Sequence, residues 1–424
     1  MRILWFTNTA SLATEPLTGQ VGVGGGWIES LELKMHEKGG LDVAVAFPWI
    51  EPELKTFHFG EGTYYGIPSR STSKYERLVE RHTAKLEDPQ KQVEYYLQVI
   101  EDFKPDVIHI FGSERAYGLL IPHIQVPTLI WIQGNLTVYS LKWYTDLTRE
   151  DVDKYTPVSS KVKGTSWHHK YREALNIAAR EQEIFSHCQY FTGRTPWDRR
   201  LTMTLSPQAK YFHCDEVMRP QFYGPQWEPH HDREKLVIMT TIRGNIFKGL
   251  RSIYDTSAIL KRLMDTPFEW RLAGIAPDNE LVTMVEQKLG VNHKELNLNL
   301  MGNKTPDELV EELLHADIFM HPSFIDNSPN SVCEAMLVGT PVVSSNVGGI
   351  PGLLVEGEEG LLVQPGDPYA MAGAILDIHR NPDWAARMSE NARKRGAVRN
   401  DPDRILEELL GVYQTVVAQH APVV

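Results

Sequence analysis

The stretch from Ala316 to Gly352, ADIFMHPSFIDNSPNSVCEAMLVGTPVVSSNVGGIPG, constrains the fold of this chain more than any other. It reads as a strand (Asp317–His321), a polar loop (Pro322–Asn327), a helix and a second strand (Pro341–Ser345). Ser328 fits the N-cap and Pro329 the first helical position, and Gly339 followed by Pro341 ends the helix. Asp326 and Glu334 lie eight residues apart, one before the helix and one inside it. Eight residues make about two turns, so both acids can face one side. In a βαβ unit that side is the crevice beyond the carboxyl ends of the strands, where ligands bind. The bland alternative is that one acid favours the helix dipole and the other belongs to a solvated face.

A chain of 424 residues exceeds one ordinary core, which predicts two domains. With 42% hydrophobic and 23% charged residues it has the composition of a soluble globular protein. A formal charge of −12 argues against nucleic acid as a partner and against a broad anionic membrane footprint. No apolar run reaches membrane-spanning length, and MRILWFTN reads as a strand rather than a secretion signal. Cys188, Cys214 and Cys333 show no metal or disulfide spacing, so a reducing cytoplasm is the expected setting.

Taken in order, strand Arg2–Phe6 is followed by GVGGGW (Gly22–Trp27), helix Trp27–Lys38 and strand Leu41–Phe47. Glycines such as Gly24, Gly25 and Gly26 between a strand and a helix either let backbone N–H groups approach a phosphate or sugar, or are simply flexible. The dinucleotide fingerprint fails, because Trp27 stands where its third glycine belongs. Residues 74–103 look helical. Strand Asp106–Ile110 carries His109, which reads either as a core histidine or as a sugar contact; Gly112 and Glu114 follow it, and then strand Thr128–Gln133. Asp151 and Asp153 form an Asp-x-Asp, but in a polar setting after Thr148 they read as the start of a helix, not a metal site. Lys161, Lys163, His168, His169, Lys170 and Arg172 are a basic cluster in an acidic chain. The cluster is either a solvated face or an approach surface for an anionic acceptor or the inner face of a membrane, by peripheral association. Arg194 and Asp198 are predicted to pair, and the Pro/Gly-rich run Arg219–Pro229 to link the domains. Beyond it, strands and helices alternate as in a doubly wound parallel sheet. The first strand there, Lys235–Thr241, leads into Arg243 and Lys248, two cations flanking a glycine turn and suited to phosphate.

HPSFIDNSPNSVCEAMLVGTPVV followed by NVGGIP resembles the donor-site signature of the family 4 glycosyltransferases, retaining enzymes of the GT-B fold. Three positions depart from the common form: Asp326 replaces a Glu, DNSP replaces Gly-Phe-Gly, and Gly352 stands where an acid is frequent. GRTPWD (Gly193–Asp198) also occurs in bacterial family 4 enzymes of surface-polysaccharide pathways. The resemblance implies an α/β protein of two Rossmann-like doubly wound domains facing across a cleft. Residues 1–228 with a returning helix from 401 would form the acceptor domain, and 229–400 the nucleotide-sugar domain. It implies Glu334 on the ribose and Asp326 and Asn327 by the donor sugar. Arg243, Lys248 and the helix start at Asn330 and Ser331 would take the diphosphate, approached by Gly24–Gly26, and His109 would touch a sugar hydroxyl. The acceptor would be a glycan, free or lipid-linked, and neither a metal nor a cofactor is implied. The rivals are a nucleotide-sugar epimerase or phosphorylase and a non-catalytic carbohydrate-binding subunit of the same shape.

Overall fold

The computed structural model describes residues 1–19, 26–69, 73–85, 87–230 and 234–420. They form two compact units, and the chain passes between them more than once. The first comprises Met1–Leu141, Pro157–Val217 and the segment from Asp401; the second comprises Lys142–Thr156 and Met218–Asn400. Among the described residues no helix is long and apolar enough to cross a membrane.

The first unit is built on strands β1 (Arg2–Phe6), β2 (Asp42–Trp49), β3 (Lys55–Phe59), β4 (Gly62–Pro68), β5 (Val107–Phe111), β6 (Thr128–Trp131), β7 (Tyr190–Gly193) and β8 (Lys210–His213). Their order is β3-β4-β2-β1-β5-β6-β7-β8, and all pair in parallel except β3 with β4. Central parallel strands are covered on both faces, which is why β5 reads Val-Ile-His-Ile-Phe and is buried throughout. The β3–β4 hairpin turns through Gly60 and Glu61, with Gly60 at φ +57°. The helix predicted over 74–103 is two helices, Lys74–Thr83 and Pro89–Phe103. Ala84 ends the first in the left-handed region, and Asp88 caps the second by accepting from the N–H groups of Gln90 and Lys91.

Arg194 and Asp198 pair as predicted, through the Arg194 backbone. Asp198 accepts from the Arg194 and Thr195 backbone N–H groups at 2.7 and 3.1 Å, capping helix Pro196–Leu205. The Arg194 guanidinium instead donates to the Gln133 carbonyl. The last helix, Pro402–Gln419, buries Ile405, Leu409, Tyr413 and Val416 in this first unit. The Tyr413 hydroxyl donates to His109 Nδ1 at 2.6 Å and accepts from Trp5 Nε1 at 3.1 Å. The chain's last helix is thereby tied to its first strand and to β5.

The second unit carries β9 (Leu236–Thr241), β10 (Phe268–Ala273), β11 (Leu298–Gly302), β12 (Ile318–His321), β13 (Val342–Ser345) and β14 (Leu361–Val363). They pair in parallel in the order β11-β10-β9-β12-β13-β14. Helices alternate with them and begin at sequence-legible caps, such as Thr305 with Glu308 in a capping box. Lys142–Thr156 packs in this unit, although it lies well inside 1–228. Asp146 explains its placement. Helix Leu250–Leu263 starts at Gly249, which has no side chain to cap it, and Asp146 accepts from Arg251 N at 2.6 Å, Ser252 N at 3.2 Å and Ser252 Oγ at 2.8 Å. Burial pushes the Asp146 carboxyl up to about 6, against the pull of those bonds. Thr148 and Asp151 form a capping box, and Asp151 pairs with Lys288 at 2.6 Å, so the Asp-x-Asp does start a helix. Arg219–Pro229 packs as part of the second unit; Trp227 is buried and donates to the Ala316 carbonyl at 2.6 Å.

Tyr413→Phe strands two buried groups and is expected to cost about 1–3 kcal/mol of stability. Urea denaturation checks this, and an unchanged midpoint would show that Trp5 and His109 do not depend on that hydroxyl.

Candidate active site

The site of the second unit forms where β9 and β12, paired side by side, end at the same edge of the sheet. The loop after β9 carries Arg243 and closes in a 3-10 turn, Ile246–Lys248. The loop after β12 carries Asp326. Phe324 N donates to Phe247 O at 2.8 Å, joining the two. Gly249 sits at φ +80°, and a Cβ there would lie 2.2 Å from the Pro322 carbonyl oxygen, so the approach requires glycine.

This approach brings Lys248 Nζ to 2.5 Å from Asp326 Oδ2, with His321 Nε2 at 3.0 Å from the same oxygen. Asp326 is only 7% exposed. Burial would raise its carboxyl, but Lys248 and His321 outweigh that and hold it well below the usual carboxylate range. The backbone of Asp326 is gripped as well. Gly349 N donates to its carbonyl at 3.1 Å, and a Cβ on Gly348 (φ +52°) would meet that oxygen at 1.8 Å. The glycines of NVGGIP are therefore needed where that loop crosses Asp326.

The following helix is Asn330–Val338, with Pro329 rather than Ser328 at its N-cap position. The Ser328 hydroxyl accepts from Arg399 at 3.1 Å. No side chain caps this start, so its first-turn N–H groups, at half-buried Asn330 and Ser331, are suited to an anion. Glu334, 4% exposed, lies one turn further on. Arg219 donates to its Oε1 through Nε at 2.9 Å and Nη2 at 2.7 Å. Burial still pushes the Glu334 carboxyl up to about 7, with Arg219 pulling the other way.

The structure thus brings together Lys248 and Asp326, places Asn327 buried beside them, and leaves Arg243 exposed on the loop. Gly24 and Gly25 lie outside the described residues. Gly26, at φ +57°, precedes helix Trp27–Lys38 in the first unit. His109 is fully buried there and stacks on Trp131 with ring centroids 5.4 Å apart, and burial lowers its pKa well below the ordinary histidine value. It presents no surface to solvent, as the core-histidine alternative requires. Three residues escape the sequence reading. His321 ends β12 inside the quoted signature and could have been singled out, whereas Arg219 and Asp146 reach their partners across 115 and about 105 positions with no local signal.

Two units, each a mainly parallel sheet layered with helices, define the class: this is a GT-B fold. Sucrose-phosphate synthase from Thermosynechococcus elongatus matches with a TM-score of 0.73 at 17% identity, covering 99% of both chains. Anabaena HepE, solved with UDP and glucose, matches with a TM-score of 0.63 at 15% identity, covering 98% of this chain and 100% of that one. At such identities the likeness concerns the fold. Residues 226–395 match the family model described as glycosyl transferases group 1. D-inositol 3-phosphate glycosyltransferase of Corynebacterium glutamicum is 37% identical over 106 residues, 25% of each chain. The amylovoran biosynthesis glycosyltransferase AmsK of Erwinia amylovora is 32% identical over 151 residues, 34% of this chain and 36% of its own. TuaC of Bacillus subtilis, named for teichuronic acid biosynthesis, is 26% identical over 441 residues, 98% of this chain and 99% of its own. The first relatives are thus matched over a quarter to about two fifths of their length.

Lys248→Ala leaves Asp326 with His321 and the Asn327 N–H as partners and is expected to cost about 3–5 kcal/mol, as for a broken buried ion pair. Lys248→Ala/Asp326→Asn is expected to cost at least about 1 kcal/mol less than the sum of its single variants. Denaturation of all four proteins gives the coupling, and strict additivity would show that the pair contributes nothing.

Proposed function

We propose that this protein is a retaining glycosyltransferase of surface-polysaccharide biosynthesis, moving a sugar from a nucleotide diphosphate donor to a glycan or lipid-linked acceptor. The observation that carries the reading is the array in the second unit: Lys248, Asp326 and His321 beside an uncapped helix start, with Glu334 one turn in. Folds of this class hold ligands beyond the carboxyl ends of the strands, where this array stands. UDP is the first donor nucleotide to test, because HepE, a neighbour in fold, has been solved with UDP and UDP-glucose.

In this reading Glu334 accepts hydrogen bonds from the ribose hydroxyls and Asp326 from those of the donor sugar. Arg243, Lys248 and the N–H groups at Asn330 and Ser331 take the diphosphate. As the bond from the anomeric carbon to the phosphate oxygen breaks, its electron pair stays on the diphosphate, and those cations and N–H groups stabilise the growing charge. The acceptor oxygen bonds to the anomeric carbon on the face the leaving group departs from. Its proton passes to the leaving phosphate oxygen, which preserves the anomeric configuration. The ammonium of Lys248 is shared between Asp326 and the phosphate, so donor binding shifts the Lys248–Asp326 ion pair.

Arg243→Ala is expected to weaken UDP binding by about 1–3 kcal/mol in calorimetry, the scale of a lost charged hydrogen bond; undiminished affinity would move the phosphate site elsewhere. The Glu334 carboxyl, at about 7, ionises as pH rises through neutrality and then accepts better. UDP affinity is therefore expected to fall several-fold between about pH 8 and about pH 6, and Glu334→Gln to flatten that profile. A profile unchanged by the substitution would assign the titration to the phosphate itself. NMR of the product's anomeric proton, with the reaction run in excess EDTA, tests the rest. An inverted product would discard retention, and activity lost to EDTA and restored by magnesium or manganese would discard charge neutralisation by side chains alone.

A further inference from the structure

One helix of the first unit has its amphipathic faces reversed. None of the ten residues of Lys74–Thr83 is buried. Tyr75, Leu78 and Val79, spaced to share one face, are 75%, 39% and 40% exposed. Glu76, Arg77, Glu80 and Arg81 instead line a cavity of about 700 Å³, together with Arg115 and Arg180. A surface helix of a soluble protein ordinarily hides its apolar stripe and shows its charged one. Here Arg77 and Glu80 are half-buried on the inner side while Glu76 and Arg81 stay exposed, and Tyr75, Leu78 and Val79 lie on the outer side.

The end of this helix is fixed in place. His82 Nε2 donates to the Val162 carbonyl at 2.9 Å, His82 Nδ1 accepts from His169 at 3.2 Å, and Arg172 donates to the His82 carbonyl at 2.9 Å. These bonds set the helix beside the short helix Val158–Val162, whose two valines are 74% and 67% exposed. Lys74 and Lys161 are exposed on these two helices, Lys163 directly after the second, and Lys170 and Arg172 on the following helix Trp167–His187. Apolar side chains outermost with cations around them, in a chain of net charge −12, match an anionic lipid surface, into which the apolar groups insert while the cations meet the headgroups. A second copy fits less well, because it would bring the same cations against these.

We propose that helices Lys74–Thr83 and Val158–Val162 form a membrane-docking face that holds the first unit against an anionic bilayer. The inference does not depend on glycosyl transfer. It places the polar cavity behind that helix at the headgroup level, where the hydrophilic end of a lipid-borne substrate would be reached.

Flotation with vesicles of phosphatidylcholine, with and without about one third phosphatidylglycerol, tests this. Wild-type protein is expected to float with the anionic vesicles and to be released by high salt. Leu78→Glu/Val79→Glu, at exposed positions, is expected to keep the wild-type circular dichroism spectrum and melting temperature while lowering the bound fraction about tenfold. Lys161→Glu/Lys163→Glu is expected to abolish the preference for anionic vesicles. Wild-type protein that stays unbound, or an apolar-face variant that floats equally well, overturns the proposal. So does sedimentation as a dimer that Leu78→Glu/Val79→Glu disrupts, without vesicle binding. UDP calorimetry on the same preparations separates the readings: loss of vesicle binding with UDP binding intact counts against this face alone.

Discussion

The buried carboxylate of Asp326 is the interaction on which the second unit's site depends. A charge so enclosed is tolerated only when paired, and the pairing draws on Lys248 from the loop after β9 and His321 from the end of β12. The three groups fix the two loops to each other across 78 residues of sequence, and Gly249, Gly348 and Gly349 are the positions where the backbone approaches closely enough to allow it. An ion pair replaced by apolar side chains of similar volume would often be as stable. Its retention at the carboxyl edge of the sheet therefore fits a role in binding better than a role in stability alone.

Neither unit is continuous in sequence, and two polar anchors tie the segments in. Tyr413 holds the last helix to β1 and β5 through Trp5 and His109. Asp146 supplies the cap that Gly249 lacks, and so holds Lys142–Thr156 on the helix that follows the cationic loop. One consequence concerns folding. The first unit lacks a buried face of its core until residues after Asp401 have been made, so the units cannot complete strictly in chain order.

Charge in this protein is local rather than global. The chain is acidic overall, yet cations stand at the loop of Arg243 and Lys248, at Arg219 and around helix Val158–Val162. Each cluster answers a different need. Lys248 neutralises one buried carboxylate, Arg219 only partly offsets the burial of another, and exposed cations stand near the outward apolar side chains of Lys74–Thr83. Net charge averages over such patches.

The sequence by itself determined most of the second unit's elements. Parallel strands buried on both faces demand apolar runs, and helix starts demand caps; both are local, so β9 to β13 and the helices among them were legible, as was the loop of Asp326 through NVGGIP. Cooler signals were passed over: the alternating Thr-Phe-His-Phe of β3, and Asp88 with Pro89, which divides one expected helix into two. Tertiary structure alone decided which distant group answers each buried charge. Arg219 meets Glu334, Asp146 caps the helix after Gly249, Ser328 meets Arg399, and the Arg194 guanidinium reaches the Gln133 carbonyl. It also enclosed His109 and turned the apolar side of Lys74–Thr83 outward. The physical reason is common to all of them: desolvation is a property of the folded surroundings, so no window of neighbouring residues specifies which side chain will satisfy a buried charge.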